Sequence, residues 1–470
     1  MTILPQTNIE KILTSLIKEE ITIRNLISPL NTSYTIDNYT DLLTSVSDHL
    51  YQKIREELVN IIETIDEKFR ELPGRSQRYY VKDKRPRTLI TPVGIITFHR
   101  TIYQSRINKS TYAHVDEKLG LPKYDRYDPC VKAMIVETYA KLNSMIKVGE
   151  LIGDRIYSPF SLKSKREHYR ISRQTVFNII TKAGQLIFEP PPTSSQVDSL
   201  MIMADEKFIA LQNSLKKKEM VKAVTIFESR KLVNKRINLL NKYVFFATGP
   251  FFWEEVHHLL GACYDLRKIK QIHLLGDGAN WIKSAQAELK TSNTTTTFSL
   301  DKFHYRQALN RITSHPDIKS KLIEYIENQD KTNFNKLTKL ILENEDLHLK
   351  QADVNINYLK KNWKALQNTL HHLKIPCSME AAISHNLASQ FTSVPKAYSQ
   401  KNLKIYLNHR MHYLNNYDLR KLYLKSLNIK PHQEKIKILD KPINLSIFEK
   451  RTRYDKSATS NWVKGIIAKN

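Results

Sequence analysis

The stretch Leu274-Leu275-Gly276-Asp277-Gly278-Ala279-Asn280-Trp281-Ile282 decides the reading of this chain. It follows an apolar run of strand type at 269–273, so a carboxylate falls where a strand stops. Glycines flank Asp277, and a helical pattern begins directly behind it. A second acid, Asp205, closes another apolar run, Leu200-Met201-Ile202-Met203-Ala204. Two carboxylates at strand ends, with room for a glutamate from a helix, are the parts needed to hold two magnesium ions.

Composition points to a class of substrate. The 470 residues carry 74 Lys+Arg against 47 Asp+Glu, a formal net charge of +27. Such an excess meets polyanions, nucleic acid first and an anionic membrane surface second. The basic residues run through the whole chain, which favours an extended groove over one basic arm. Three cysteines, Cys130, Cys263 and Cys377, stand far apart without C-x-x-C spacing. Neither a zinc ribbon nor a disulfide framework is indicated, and a reducing cytosol fits. The first 18 residues lack the pattern of a signal peptide. No apolar run approaches the roughly 18 residues of a membrane span. The expected location is therefore cytoplasmic. Gly is scarce, with 11 residues, which argues against a barrel or propeller with many tight turns. No phosphate-binding glycine loop, H-E-x-x-H zinc motif or G-x-S-x-G elbow is present.

Residues 1–72 show helical periodicity, first in Ile9, Ile12, Leu13, Leu16 and Ile17, then in a longer stripe from Leu42 to Ile65. Residues 73–113 read as a basic β-hairpin, with strands at 88–91 and 95–103 around Pro92-Val93-Gly94. Arg85, Arg87 and Arg100 lie among tyrosines there and suit contact with a DNA backbone. A solvated β-ribbon is the equal alternative. Residues 114–189 return to helix, and 171–180 resemble the second helix of a helix-turn-helix. Ser172 would cap it, with Arg173, Gln174 and Asn178 facing a groove while Val176, Ile179 and Ile180 pack inward. Pro190-Pro191-Pro192 then marks a boundary. In 195–304 the order is three strands, a helix, a strand, a helix and a strand, the chain order of a ribonuclease-H-like α/β core. Residues 305–375 read as a helical insertion, 376–412 as a return to the core, and 413–470 as a basic C-terminal region.

The third acid must come from elsewhere. Glu380, in Ser378-Met379-Glu380-Ala381-Ala382-Ile383, lies about 100° round a helix from the core-facing Met379. Its competitors are Glu206, Glu343 and Glu345. Asp301-Lys302-Phe303-His304 adds an acid at a strand end and a histidine one helical turn later, a pairing that is more often structural. Trp253, Trp281 and Trp363 read as core or interface anchors.

Four strings together resemble the ISLre-type insertion-sequence transposases, a group long treated as an uncharacterised bacterial protein family. They are Met203-Ala204-Asp205-Glu206, Gly276-Asp277-Gly278-Ala279-Asn280-Trp281-Ile282, Leu300-Asp301-Lys302-Phe303-His304 and the Glu380 segment. Arg87-Thr88-Leu89-Ile90-Thr91-Pro92-Val93-Gly94 and Leu119-Gly120-Leu121 are similar to that family too. The chain departs from its pattern at Gln390 and Tyr398, where arginine and tryptophan are usual. The resemblance implies a DDE transposase with a ribonuclease-H-like core. It makes Asp205, Asp277 and Glu380 the catalytic, metal-holding acids, with Asp301 and His304 as a supporting D-x-x-H pair. The implied cofactor is Mg²⁺, with Mn²⁺ able to substitute. The implied partners are terminal-repeat and target DNA and a second copy of the chain, at the bacterial nucleoid. A DNA-binding protein without catalysis and a structure-specific nuclease are the alternative readings.

Overall fold

The computed structural model of the chain describes residues 39–157, 170–187, 196–212, 215–234, 236–372, 379–393 and 396–427, with positions 190 and 193 between. The stripe from Ile9 to Ile17, the expected cap Ser378 and the region from 428 onward lie outside the described residues.

Helix α1 (Tyr39–Arg70) carries the longer apolar stripe, and its last turns bury Ile62 and Ile65. They pack on Leu89, Ile96 and Phe98 of an antiparallel hairpin, β1 (Tyr79–Thr91) and β2 (Gly94–Ser105). Thr91 pairs with Gly94, so Pro92-Val93 forms the turn, as their sequence suggests. A two-residue strand, β3 (Thr111–Tyr112), adds to β2. The strands run further than the apolar pattern indicated, because residues 82–86 are exposed throughout and carry no alternation. Asp66 fastens α1 to the hairpin by accepting both the backbone N–H (2.9 Å) and hydroxyl (2.6 Å) of Thr101.

Three helices follow, α2 (Pro129–Leu142), α3 (Met145–Tyr157) and α4 (Arg173–Ala183). Asp128 caps α2 ahead of a proline in its first turn, and Ser172 caps α4 through the Thr175 N–H. A Cβ on Gly149 would lie 2.1 Å from the Ile171 carbonyl oxygen, so only glycine lets α3 approach the start of α4. On α4, Val176, Ile179 and Ile180 are buried while Arg173, Gln174 and Asn178 are exposed, as the sequence pattern predicts.

The central sheet has five strands: β4 (Ser199–Ala210), β5 (Lys218–Phe227), β8 (Tyr243–Thr248), β9 (Gln271–Gly276) and β10 (Thr295–Leu300). Their order is β10-β9-β4-β5-β8, with β9 and β10 parallel to β4 and the other neighbours antiparallel. Between β5 and β8 stands a ribbon of β6 (Ser229–Val233) and β7 (Arg236–Leu240), which sequence reading did not separate from its neighbours. Strand β4 continues past the expected stop at Ala204, because β5 pairs with it from Met201 to Ala210. Its pairing with β9 ends at Met203. Asp205 therefore ends the strand only on the β9 side.

Alternate side chains of β4 enter different cores. Leu200, Ile202 and Ala204 join one with α5 (Phe252–Cys263), α6 (Asn280–Glu288), α7 (Lys302–Ile312), α8 (Pro316–Glu327), α9 (Lys331–Glu343), α10 (Ala352–Lys361) and α11 (Trp363–Gln367). Met203 and Ile209 join the other with α2, α3, α4, the turn α12 (Met379–Ile383), α13 (Gln400–Leu414) and α14 (Leu419–Ser426). The sheet is thus the middle layer of three.

His409 on α13 is buried and bonds through Nε2 to the Gly184 carbonyl at 2.8 Å. Asn408 secures the same segment by accepting the Leu186 N–H at 2.8 Å. Burial pushes the His409 imidazole down to about 4, so it stays neutral and donates from Nε2. The unfolded chain binds a proton near 6.5, so this contribution is complete above that pH and is lost on acidification toward 4. Chemical denaturation between pH 7 and 5 should show the folding constant falling by up to about tenfold per pH unit from this group. His409→Gln should flatten the profile; parallel profiles would remove His409 as the cause.

Candidate active site

Asp205 shares the register of Met201 and Met203 and so faces the α12 layer, while Glu206 shares that of Ile202 and Ala204. Asp205 Oδ1 accepts the Glu206 N–H at 2.7 Å. Glu206 stands opposite Lys222 of β5. The Trp281 indole N–H donates to Glu206 Oε2 at 2.5 Å, and the Trp253 indole donates to the Trp281 carbonyl at 2.5 Å. Lys222 Nζ donates to the Gly249 carbonyl at 3.0 Å and lies 5.4 Å from the Trp281 ring centre. Glu206 is thereby held by a fixed aromatic wall.

Asp277 follows β9 directly. A Cβ on Gly276 would come within 3.0 Å of the Ala204 carbonyl oxygen and 2.9 Å of Ile282, so a bare backbone is what lets β9 lie this close to β4. Gly278 has φ +90°, and a Cβ there would meet Asn362 at 2.8 Å. Asp277 Oδ1 accepts the Ala279 N–H at 2.9 Å, and the Tyr358 hydroxyl donates to the Asp277 carbonyl at 2.6 Å. One oxygen each from Asp205, Glu206 and Asp277 lies within 4.8 Å of the others. All three residues are half-buried. Burial pushes the Asp205 carboxyl up to about 6, with Asp277 adding to the rise and the Glu206 N–H and His304 opposing it. Burial also raises Glu206, against the Trp281 hydrogen bond. Three hard oxygen donors whose charges repel form a set that could hold a metal ion.

Asp301 sits beside this set. Its N–H donates to the Gly276 carbonyl at 2.9 Å, and its Oδ1 accepts the Phe303 N–H at 3.2 Å to cap α7. His304 Nε2 lies 3.9 Å from Asp301 Oδ2. Burial raises the Asp301 carboxyl, His304 lowers it, and Glu380 raises it. Glu380 is exposed on α12, whose Met379 packs down on the Thr225 hydroxyl at 3.5 Å. The structure brings Asp205 and Asp277 together as their sequence context suggests, with Asp301 and His304 alongside. The third member of the set is Glu206, and Glu380 is felt electrostatically at Asp301. Glu343 and Glu345 are exposed near the end of α9. The role of Trp281 was missed; its signal was its position one helical turn after Asp277.

The basic hairpin residues divide. Arg87 is buried, with Nη1 2.7 Å from Asp116 and Nη2 donating to the Pro122 (2.9 Å) and Asp125 (3.0 Å) carbonyls. Arg100 donates to the same Asp116 at 2.8 Å. Both expected DNA contacts are thus engaged inside the protein, because Asp116 on the neighbouring turn pairs with them. Arg85 stays exposed beside Asp83. Tyr398 and Gln390, where the chain departs from the family pattern, are both tied to Asn143, which donates to the Tyr398 hydroxyl at 3.2 Å and the Gln390 carbonyl at 2.6 Å. Among the described residues, no helix is long and apolar enough to cross a membrane.

Among solved structures, the chain is matched to the Drosophila P element transposase strand transfer complex at 9% identity and a TM-score of 0.24, covering 69% of this chain and 88% of that one. Two curated relatives come from Caldanaerobacter subterraneus subsp. tengcongensis. One is 27% identical over 445 residues, 92% of this chain and 89% of the relative, and its name joins eleven designations in that strain. Another is 28% identical over 396 residues, 82% of this chain and 80% of the relative. Both are named as UPF0236 proteins. The model of that family, described as an uncharacterised protein family, matches residues 36–426, and the chain belongs to it.

Proposed function

We propose that this protein is a DDE transposase that cuts and joins DNA at the ends of an insertion sequence. The observation that carries the reading is the set of three carboxylates within 4.8 Å on a chain with a net charge of +27. The strand order β10-β9-β4-β5-β8, with only the first three strands parallel, supports a ribonuclease-H-like core. A relative carried under eleven designations in one strain is what a copied element leaves behind.

The donor set suits Mg²⁺, with Mn²⁺ as a substitute, since both are hard ions that take carboxylate oxygens. When bound, a pair of such ions activates the attacking oxygen and neutralises charge at the leaving oxygen. Asp205 and Asp277 supply ligand oxygens from adjacent strands. The Ala279 N–H and the Tyr358 hydroxyl fix Asp277 from both sides. Trp281 fixes Glu206. Glu380 is the helix-borne acid of the triad, near enough to raise the Asp301 carboxyl, and His304 is the partner of Asp301 that supports the site. Arg173, Gln174 and Asn178 on α4 face terminal-repeat DNA.

Asp277→Asn should abolish nicking and joining of labelled terminal-repeat DNA in Mg²⁺ while leaving the DNA dissociation constant within about twofold. Retained cleavage in that variant would exclude the assignment. The two glutamates are separated by the same assay. Glu380→Gln should lose cleavage by more than about a hundredfold, whereas Glu206→Gln should weaken metal affinity by about 10–100-fold and be rescued by excess metal. The reverse pattern would make Glu206 the third acid.

Stability offers an independent readout. The Asp205 carboxyl titrates near 6, above the ordinary value of about 3.9, so its contribution favours folding at low pH and fades as pH rises through 6. At pH 7.5 the repulsion stands unrelieved. Millimolar Mg²⁺ should then raise the melting temperature by about 2–4 °C. The gain should shrink at pH 5 and vanish in the Asp205→Asn, Asp277→Asn double variant.

A further inference from the structure

The hairpin and the loop at 119–126 enclose a groove of about 930 Å³, and Lys82, Arg85, Lys123, Tyr124 and Arg126 are exposed among its lining residues. Beneath them the acids are engaged. Asp116 holds Arg87 and Arg100, Asp125 holds Lys132, and Glu117 is drawn to the Tyr112 hydroxyl. Arg87 also grips the loop backbone at Pro122 and Asp125. The loop is therefore braced from below, and its cations face outward.

Tyr124 is the anomaly in this loop. The Asp125 N–H donates to the Pro122 carbonyl at 3.2 Å, closing a four-residue turn whose third position is Tyr124. Its φ is +65°, a conformation that turn chemistry ordinarily gives to glycine. Its ring is 86% exposed, with the Lys123 ammonium 5.0 Å from the ring centre. A strained backbone that holds a large ring in water gains nothing for the fold, and such strain collects at ligand-binding positions.

A basic groove with an outward aromatic ring is how single-stranded nucleic acid is bound: cations follow the phosphates and bases stack on the ring. We propose that this groove takes a single-stranded segment of DNA, with phosphates along Lys82, Lys123 and Arg126 and one base stacked on Tyr124. The choice of DNA rests on the functional reading above; the groove itself is independent of the carboxylates.

The test is fluorescence anisotropy on the full chain, with a labelled oligo-dT and a blunt duplex of equal length as probes. Tyr124→Ala should weaken oligo-dT binding about tenfold and duplex binding less than about twofold, whereas Tyr124→Phe should bind as the wild type does. Tyr124→Gly, which suits the turn and protects against a folding artefact, should lose as much as Tyr124→Ala. The Lys123→Ala, Arg126→Ala pair should reduce the salt dependence of oligo-dT binding by about 1–2 in slope. Equal losses on both probes, no loss, or equal competition by poly-glutamate would overturn the proposal. Unaltered binding by Tyr124→Ala beside Asp277-dependent cleavage would sink the groove and leave the active site standing. Tyr124-dependent binding without cleavage by the wild type would do the opposite.

Discussion

Like charges held close in a half-buried place are the constraint on which the rest of this structure depends. Asp205, Glu206 and Asp277 bring oxygens within 4.8 Å of one another, and burial, with the neighbouring charge of Asp277, raises two of them. Repulsion would spread such a set unless the backbone fixed it. The fixing is done by close approach: Gly276 lets β9 run against the Ala204 carbonyl, and a Cβ there would crowd that oxygen and Ile282. The hydrogen bonds from Ala279, Tyr358 and Trp281 then hold side chains and backbone in place. The energy stored in that crowding is what a cation would release.

The positive charge of the chain is divided just as sharply. Arg87 and Arg100 face each other across one carboxylate, Asp116, and act as internal struts for the loop above them. A planar guanidinium with several fixed donors suits that task, since Arg87 reaches a carboxylate and two carbonyls at once. Among the described residues of this region, Lys82, Lys123 and Arg126 are among the cations left exposed. Counting basic residues along a hairpin cannot make this distinction, because it depends on where a single acid from another element falls.

This is also the boundary of what the sequence makes legible. The aspartate flanked by glycines, the capped α4 and the Pro92-Val93 turn are local patterns, and each is read from a handful of neighbours. The two strands that carry Asp205 and Asp277 could be paired from chain order. What stayed hidden depends on pairing across the sheet. Strand β4 outruns its apolar segment because β5 continues to bond it, so the polar residues 205–207 belong to a strand. The ribbon β6–β7 is basic and amphipathic enough to pass for a loop. In the sequence Glu206 stands only as a competitor of Glu380, since its fixation comes from Trp281, 75 residues away, and no spacing rule links the two.

Strand alternation gives the site its last property. Neighbouring residues on β4 point to opposite faces, so Asp205 answers to the layer that holds α12 and Glu206 to the layer that holds α5 and α6. Tyr358 reaches Asp277 from the second layer, and Met379 reaches Thr225 from the first. Neither helical layer alone can set the geometry. The carboxylates sit where the pairing of the central strands β4 and β9 ends, between the two cores, and a shift in either layer moves one acid relative to the others. A site built on that seam is assembled only when both halves are docked. Met203 shares its core with α2, α3 and α4, so the strand that carries Asp205 shares its packing with those helices and a displacement of them is felt at that carboxylate.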